Sequence, residues 1–127
     1  MKIVLFCLLA ASCAWARESV LHTAASRAPV RANPLEGDAR AERAGAKLFA
    51  RECAACHGVG GIGGKNAPRL QRRDVYEAPP AALFWVLRNG SLWRGMPSFA
   101  ALPEPQRWQI IAYLQRQRGQ ETGGAIK

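Results

Sequence analysis

Cys53-Ala54-Ala55-Cys56-His57 is the string of residues that decides how this chain is interpreted. Two thiols one helical turn apart can each bond a vinyl group on one edge of a porphyrin, and the imidazole that follows can bind the iron. This spacing is that of a c-type haem attachment site. It predicts one covalently bound haem c, attached through Cys53 and Cys56, with His57 as an axial ligand.

Other uses of two close cysteines fit the sequence less well. A thioredoxin-like dithiol needs a βαβ context, and no stretch of this chain is typical of a strand. A structural zinc site needs four ligands, and the only other histidine is His22, far from the motif. The glycines that follow match a dinucleotide fingerprint formally, but they lack the strand and the helix that such a site requires.

Residues 1–16 have the layout of a secretory signal peptide: a short positive start, an apolar run over 3–11, and small residues at Ala14 and Ala16. Cleavage after Ala16 predicts an exported, periplasmic protein. Two alternatives stay open, namely retention of the segment as an anchor and lipidation at Cys13. We expect membrane association only in those two cases.

The chain has 127 residues and a formal charge of +9, from 18 basic and 9 acidic residues. This length is enough for one small domain. The excess of positive charge predicts salt-sensitive docking to redox proteins with acidic faces. We expect no nucleic-acid partner.

The charge and apolar patterns divide the chain after the signal peptide into three parts. Residues 17–37 mix small, charged and turn-forming residues without periodicity, and this predicts a flexible N-terminal segment. Residues 38–120 carry the periodic segments and form the predicted domain. Residues 121–127 are predicted to be a C-terminal tail.

Three helices are predicted in an all-α domain, with loops between them. The first follows an N-cap at Asp38, the second is opened by Pro79-Pro80 and ends before Gly90, and the third runs from Pro103 to about Arg118. Gly45 lies inside the first helix, where glycine costs about 1 kcal/mol relative to alanine. A close crossing by another helix would explain it.

The second axial ligand is predicted to be Met96, the only methionine beyond the signal segment. A thioether stabilises ferrous over ferric iron and so raises the reduction potential. The alternative is that Met96 is a core side chain, as methionines usually are. Its neighbours Gly95 and Pro97 indicate a shaped loop rather than a helix face, and this favours a ligand.

Two further residues are candidates for the haem site. The carbonyl of Pro68 could accept the second ring N–H of His57 and so orient the ring, although a plain turn proline is an equal alternative. Trp93 shares the Met96 loop and could pack on the haem or bond a propionate. The alternative for Trp93 is an ordinary core tryptophan.

Several strings together resemble the class I c-type cytochromes, most closely the small bacterial monohaem domains that serve periplasmic dehydrogenases and terminal oxidases. The resemblance covers roughly residues 40–118. The strings are Gly45-x-x-Leu48-Phe49, Cys53-x-x-Cys56-His57-Gly58, Ala67-Pro68-x-Leu70, Asn89-Gly90, Gly95-Met96-Pro97-Ser98-Phe99 and Trp108-x-Ile110-x-Ala112-Tyr113-Leu114.

This resemblance implies a cytochrome c fold of three main helices, with loops wrapped around one covalent haem. It implies thioether bonds from the two cysteines, axial ligation by His57 and Met96, and a hydrogen bond from His57 to Pro68. Leu70 would pack on the haem, and the first helix would cross the last helix near Tyr113.

The resulting functional expectation is a periplasmic carrier of single electrons between redox proteins, and not an enzyme, because protein ligands fill both axial positions. One alternative is a dedicated haem subunit of a periplasmic dehydrogenase or terminal oxidase complex. Another is a haem enzyme or gas sensor with an open iron site.

Overall fold

A computed structural model describes residues 19–116 and 118, and this part of the chain contains helices and no strand. The predicted all-α class is therefore confirmed. The predicted signal peptide (1–16) and tail (121–127) lie outside the described residues. The helices are α1 (Val20–Arg27), α2 (Ala39–Glu52), α3 (Ala54–His57), α4 (Arg73–Tyr76), α5 (Pro80–Asn89) and α6 (Glu104–Gln115). Within the described residues, none of these helices is long and apolar enough to cross a membrane.

Helix α2 begins where its capping residue predicts. The Asp38 carboxylate accepts hydrogen bonds from the backbone N–H groups of Arg40 (2.8 Å) and Ala41 (3.1 Å). These bonds satisfy donors that the first turn leaves free, and they lower the pKa of Asp38. The helix buries one stripe, consisting of Ala41, Gly45, Leu48 and Phe49.

Helices α5 and α6 both begin with a proline in their first turn, as predicted. Helix α5 ends at Asn89, and the next residue, Gly90, has a positive φ of 70°. Helix α6 ends earlier than predicted. Its last residue is Gln115, and Arg118 instead donates to the carbonyl oxygens of Tyr76 (2.8 Å) and Ala78 (3.2 Å).

The core lies where α2 crosses α6. Its largest fully buried side chains are Phe49, Trp108, Ile110 and Ile111. A Cβ atom on Gly45 would lie 1.9 Å from the backbone oxygen of Gln109, so the two helices touch at this glycine. The close crossing inferred from the sequence is thus present, and it joins the helix that leads into the cysteine motif to the last helix.

The N-terminal segment differs from the flexible segment expected over 17–37. Helix α1 packs on α5, and Ala24 is fully buried. Asn33 is 5% exposed, and its side-chain amide donates to the backbone oxygen of Trp108 (3.0 Å) and accepts from the N–H of Leu35 (2.9 Å). The expectation of flexibility is therefore wrong for the described part of this segment, and the folded unit begins before residue 38.

Replacing Asn33 by alanine is expected to lower the free energy of unfolding by about 2 kcal/mol, because the buried Trp108 carbonyl loses its side-chain donor. Urea unfolding of the haem-loaded protein measures this change. The same substitution at the exposed Asn66 is the control and is expected to change stability by less than about 0.5 kcal/mol. An unfolding midpoint unchanged by Asn33→Ala would contradict an anchoring role for the segment.

Candidate haem site

The cysteine motif forms one helical turn directly after α2. Cys53 caps α2 through a bond from its N–H to the oxygen of Phe49 (2.9 Å), and its own oxygen accepts from the N–H groups of Cys56 (3.2 Å) and His57 (2.9 Å). Both thiols are free, with Cys53 buried and Cys56 exposed. The hydrogen bonds of this turn thus hold two sulfurs and one imidazole close together on a stretch of five residues.

The two thiols differ in environment. Burial raises the pKa of the Cys53 thiol to about 11, and the nearby Glu52 and Cys56 add to the effect. Cys53 is therefore neutral at neutral pH, whereas Cys56 lies at the surface. Because thiol reactivity also follows access, the buried Cys53 is harder for a reagent to reach than the exposed Cys56.

The His57 ring is oriented by a backbone carbonyl. Its Nδ1 lies 2.8 Å from the oxygen of Pro68. A carbonyl can only accept, so Nδ1 carries the proton and donates it to this bond. The other ring nitrogen, Nε2, is then left with its lone pair available for a metal, as in most histidine ligands.

The loop after His57 is folded tightly, and this brings Pro68 back to the ring. Hydrogen bonds run from the N–H of Gly63 to the oxygen of His57 (2.7 Å) and from the N–H of Leu70 to the oxygen of Gly61 (2.8 Å). A Cβ on Gly64 would lie 2.1 Å from the oxygen of Cys56, so only glycine fits there. Leu70 is half-buried against the hydrophobic core.

Met96 lies on a loop whose ends are fixed. Ser91 and Met96 form a two-residue antiparallel bridge, with N···O distances of 2.9 and 3.1 Å. Between them a 3-10 turn, Leu92–Arg94, leads to Gly95, whose φ is 84°. A Cβ on Gly90 would lie 2.7 Å from the oxygen of Met96, so the start of the loop also needs glycine. Met96 itself is half-buried beside the core.

Trp93 does not belong to the core. It is 80% exposed, and the guanidinium of Arg94 lies 4.3 Å from the centre of its ring. The ordinary core tryptophan considered as an alternative is therefore wrong for Trp93. The sequence alone could not decide this, because the loop carries apolar and charged residues side by side.

The residues present fit a porphyrin. Large apolar side chains are exposed on both loops that carry the candidate ligands: Val59 and Ile62 follow His57, and Leu92 and Trp93 precede Met96. Exposed apolar groups of this size, on the two loops that carry the candidate ligands, favour a binding surface there. A porphyrin would cover such groups, and the free thiols and the oriented imidazole supply its attachment and one axial ligand.

A cation site of another kind finds no support in the part of the chain that the structure describes. Those residues contain no group of three or more histidine, cysteine, aspartate or glutamate side chains that could hold a metal ion.

Comparison with known proteins finds a similar fold. A crystal structure of cytochrome CL from the marine methylotrophic bacterium Methylophaga aminisulfidivorans MPT has a similar fold, with a TM-score of 0.58, 23% sequence identity, and coverage of 76% of this chain and 72% of that one. No curated protein gives a significant match. The fold and the cysteine motif define the class as the c-type cytochromes.

The family model described as "Cytochrome C oxidase, cbb3-type, subunit III" matches residues 40–114. The chain belongs to this family. It is therefore a c-type cytochrome domain, an electron-transfer protein, and the family implies a covalently bound haem c.

One buried residue near the Met96 loop was missed by the sequence analysis. Arg107 lies in α6 and is only 7% exposed. A single arginine in an amphipathic helix carries no signal that separates it from the solvated arginines around it. Its three carbonyl partners become visible only once the loop is folded against α6.

Proposed function

We propose that this chain is a periplasmic monohaem c-type cytochrome that passes single electrons between redox proteins. The observation that carries the proposal is the 2.8 Å bond between His57 Nδ1 and the Pro68 oxygen, which leaves Nε2 free for a metal directly after two thiols. The haem, when bound, supplies the one-electron chemistry.

The residues of the chain have separate roles in this proposal. Cys53 and Cys56 attach the porphyrin, and His57 and Met96 are the axial ligands. Pro68 orients the His57 ring, while the half-buried Leu70 and the exposed Trp93 pack on the porphyrin. Fixed ligands and an apolar environment keep the structure of the protein nearly the same in both oxidation states. Little reorganisation is then needed, and this favours rapid electron transfer.

The proposed partners are redox proteins with acidic docking faces. The chain has a formal charge of +9. Exposed basic side chains lie on several of the described loops and helix ends: Lys65, Arg69, Arg72, Arg73, Arg88 and Arg94. Some of these are paired with carboxylates, as Arg73 is with Glu77, but the excess of positive charge remains. Association driven by such charge weakens as salt is added.

Periplasmic location is supported by residues 1–16 and is tested together with the haem content. The protein is expressed with its own leader in a bacterium that matures cytochromes c, and the exported material is analysed by intact mass and visible spectroscopy. We expect the mass of residues 17–127 plus one haem, and a six-coordinate low-spin spectrum that carbon monoxide does not change on mixing. Colourless protein with two alkylatable thiols would overturn the proposal, and a lipid mass at Cys13 would revise the location.

A second candidate function is a dedicated haem subunit of a terminal oxidase complex. It is favoured by the family model that matches residues 40–114, since that family is described as an oxidase subunit. Co-purification with a large subunit at low salt, lost at high salt, would favour this candidate over a diffusible carrier. Carbon monoxide binding by the native ferrous protein that is complete on mixing would instead favour an open-site haem enzyme or gas sensor.

A further inference from the structure

Arg107 is a buried cation that bonds only to backbone. It is 7% exposed, and its Nη1 donates to the carbonyl oxygens of Leu102 (2.7 Å), Ala100 (2.9 Å) and, more weakly, Phe99 (3.3 Å). Its guanidinium also lies 4.8 Å from the centre of the Phe84 ring. Among the described residues no carboxylate forms an ion pair with it, although Arg107 helps to lower the pKa of Glu104, three residues earlier in α6. Its direct contacts are carbonyl dipoles and one aromatic face.

This arrangement is costly for a purely structural contact. A charge removed from water loses several kcal/mol of hydration unless its donors are well satisfied. The Nε of Arg107 is buried and has no hydrogen-bond partner. An apolar side chain of similar volume would fill the same space against Phe84 without that cost. An apolar side chain could not, however, make the three hydrogen bonds that Arg107 donates to the carbonyl oxygens.

Those carbonyls belong to the far end of the segment that carries Met96. We call residues 90–102 the Met96 strap. Between Met96 and that far end the strap is fixed to α5: the N–H of Phe99 donates to the oxygen of Leu87 (2.8 Å), and the Ser98 hydroxyl donates to the oxygen of Arg88 (2.5 Å). Beyond Phe99 the strap turns toward α6, and there the side chain that bonds it to the helix is Arg107.

We propose that Arg107 is a positioning residue, which holds the far end of the Met96 strap against α6 and thereby keeps the Met96 thioether at its axial position. This inference rests on the proposed function, since it takes Met96 to be the ligand. Loss of Arg107 frees three carbonyl oxygens at the end of the strap. Without these bonds the strap would move away from α6 more often, and the Met96 sulfur would less often lie where it could hold the haem iron.

Two variants test this in the haem-loaded protein. Arg107→Met keeps the length and the packing on Phe84 but removes every donor. Arg107→Lys keeps the charge but replaces the planar fork by a single ammonium. The first measurement is the rate at which carbon monoxide binds to the ferrous protein. Carbon monoxide can bind only at a coordination position that Met96 does not occupy. The second is the pH at which the weak sulfur-to-iron band of the ferric spectrum disappears.

We expect carbon monoxide to bind about tenfold to about a hundredfold faster in Arg107→Met than in the wild type, the equivalent of losing one to three hydrogen bonds from the closed strap. Arg107→Lys is expected to lie between the two. The sulfur-to-iron band should disappear at a lower pH in the same order. The control is Asn33→Ala, which removes a buried bond to α6 at the N-terminal segment and leaves the strap untouched.

The outcomes separate the two levels of inference. If the wild-type ferric spectrum has no sulfur-to-iron band, Met96 is not the ligand and the proposed function fails whatever the variants do. If the wild type has the band, and the Arg107 variants behave like Asn33→Ala at matched loss of stability, the positioning role is overturned. Where Arg107→Met yields no folded protein, the comparison of Arg107→Lys with Asn33→Ala decides in the same way.

Discussion

Replacing Gly45 by alanine is expected to destabilise the protein by at least about 3 kcal/mol, the upper end of what overpacking a core usually costs. An alanine in place of glycine inside a helix would ordinarily add about 1 kcal/mol of stability. The expected sign is therefore opposite to that of helix propensity. A loss of this size is a large part of the roughly 5–15 kcal/mol that holds a domain of this kind together.

The reason is the crossing of α2 and α6. A Cβ on Gly45 would lie 1.9 Å from the oxygen and 2.5 Å from the carbon of the Gln109 carbonyl, and 2.9 Å from Cβ of Tyr113. The first two atoms are backbone and cannot rotate away. The helices must separate, and the contacts of the fully buried Phe49 and Ile110 are loosened with them.

The measurement is urea unfolding of the haem-loaded variant, followed by haem absorbance and by far-ultraviolet circular dichroism. Gly37→Ala is the matched control. Gly37 has a φ of 76° and no atom within 4 Å of its Cβ position, so alanine there meets backbone strain alone, about 1–2 kcal/mol. If Gly45→Ala is as stable as the wild type, the helices do not cross at this glycine.

Much of this fold can be predicted from the sequence because its signals are local. The Asp38 cap lies next to the apolar stripe that it starts, and the prolines of α5 and α6 lie in the first turns that they favour. The glycine at position 45 is unfavourable locally, and this indicated a tertiary contact before the partner helix was known. Each of these signals spans fewer than about ten residues.

The features that escaped prediction depend on contacts distant along the chain. Asn33 reaches the oxygen of Trp108, 75 positions away, and that bond fixes a segment whose own composition is typical of a linker. Helix α1 is short, and the burial of its Ala24 comes with packing on α5. Arg107 follows the same rule, since its role depends on the path of a loop rather than on its helical position. The composition and charge of a segment predict the environment of a residue only when its contacts are to neighbours in the sequence.

The candidate site shows the same division. The relative positions of the two sulfurs and the imidazole follow from the string Cys53 to His57 alone, because these residues form one helical turn. The path of the loop from His57 to Pro68 is set by glycines whose need for close backbone approach the sequence could only suggest. The exposure of Trp93 could not be predicted, because it depends on a turn that forms only when the Ser91–Met96 bridge closes.

Replacing Met96 by histidine is expected to lower the reduction potential by roughly 0.1–0.3 V, part of the span of about 0.8 V that axial ligands cover. An imidazole is a harder donor than a thioether and favours the ferric state. The bridge between Ser91 and Met96 is made by backbone atoms only, so the substitution leaves the loop's hydrogen bonds in place. The potential should therefore report the change of ligand rather than the loss of the loop.

Spectroelectrochemical titration measures the shift, and the sulfur-to-iron band of the ferric protein should disappear with it. Ala100→His is the matched control, since it places an imidazole in the same strap at an exposed position and keeps the thioether. Its potential is expected to stay within about 0.05 V of the wild type, because an exposed side chain is well screened by solvent. A Met96→His protein with the wild-type potential would mean that the iron takes its second ligand from elsewhere. The strap from Gly90 to Leu102 would then need another explanation for its fixed ends.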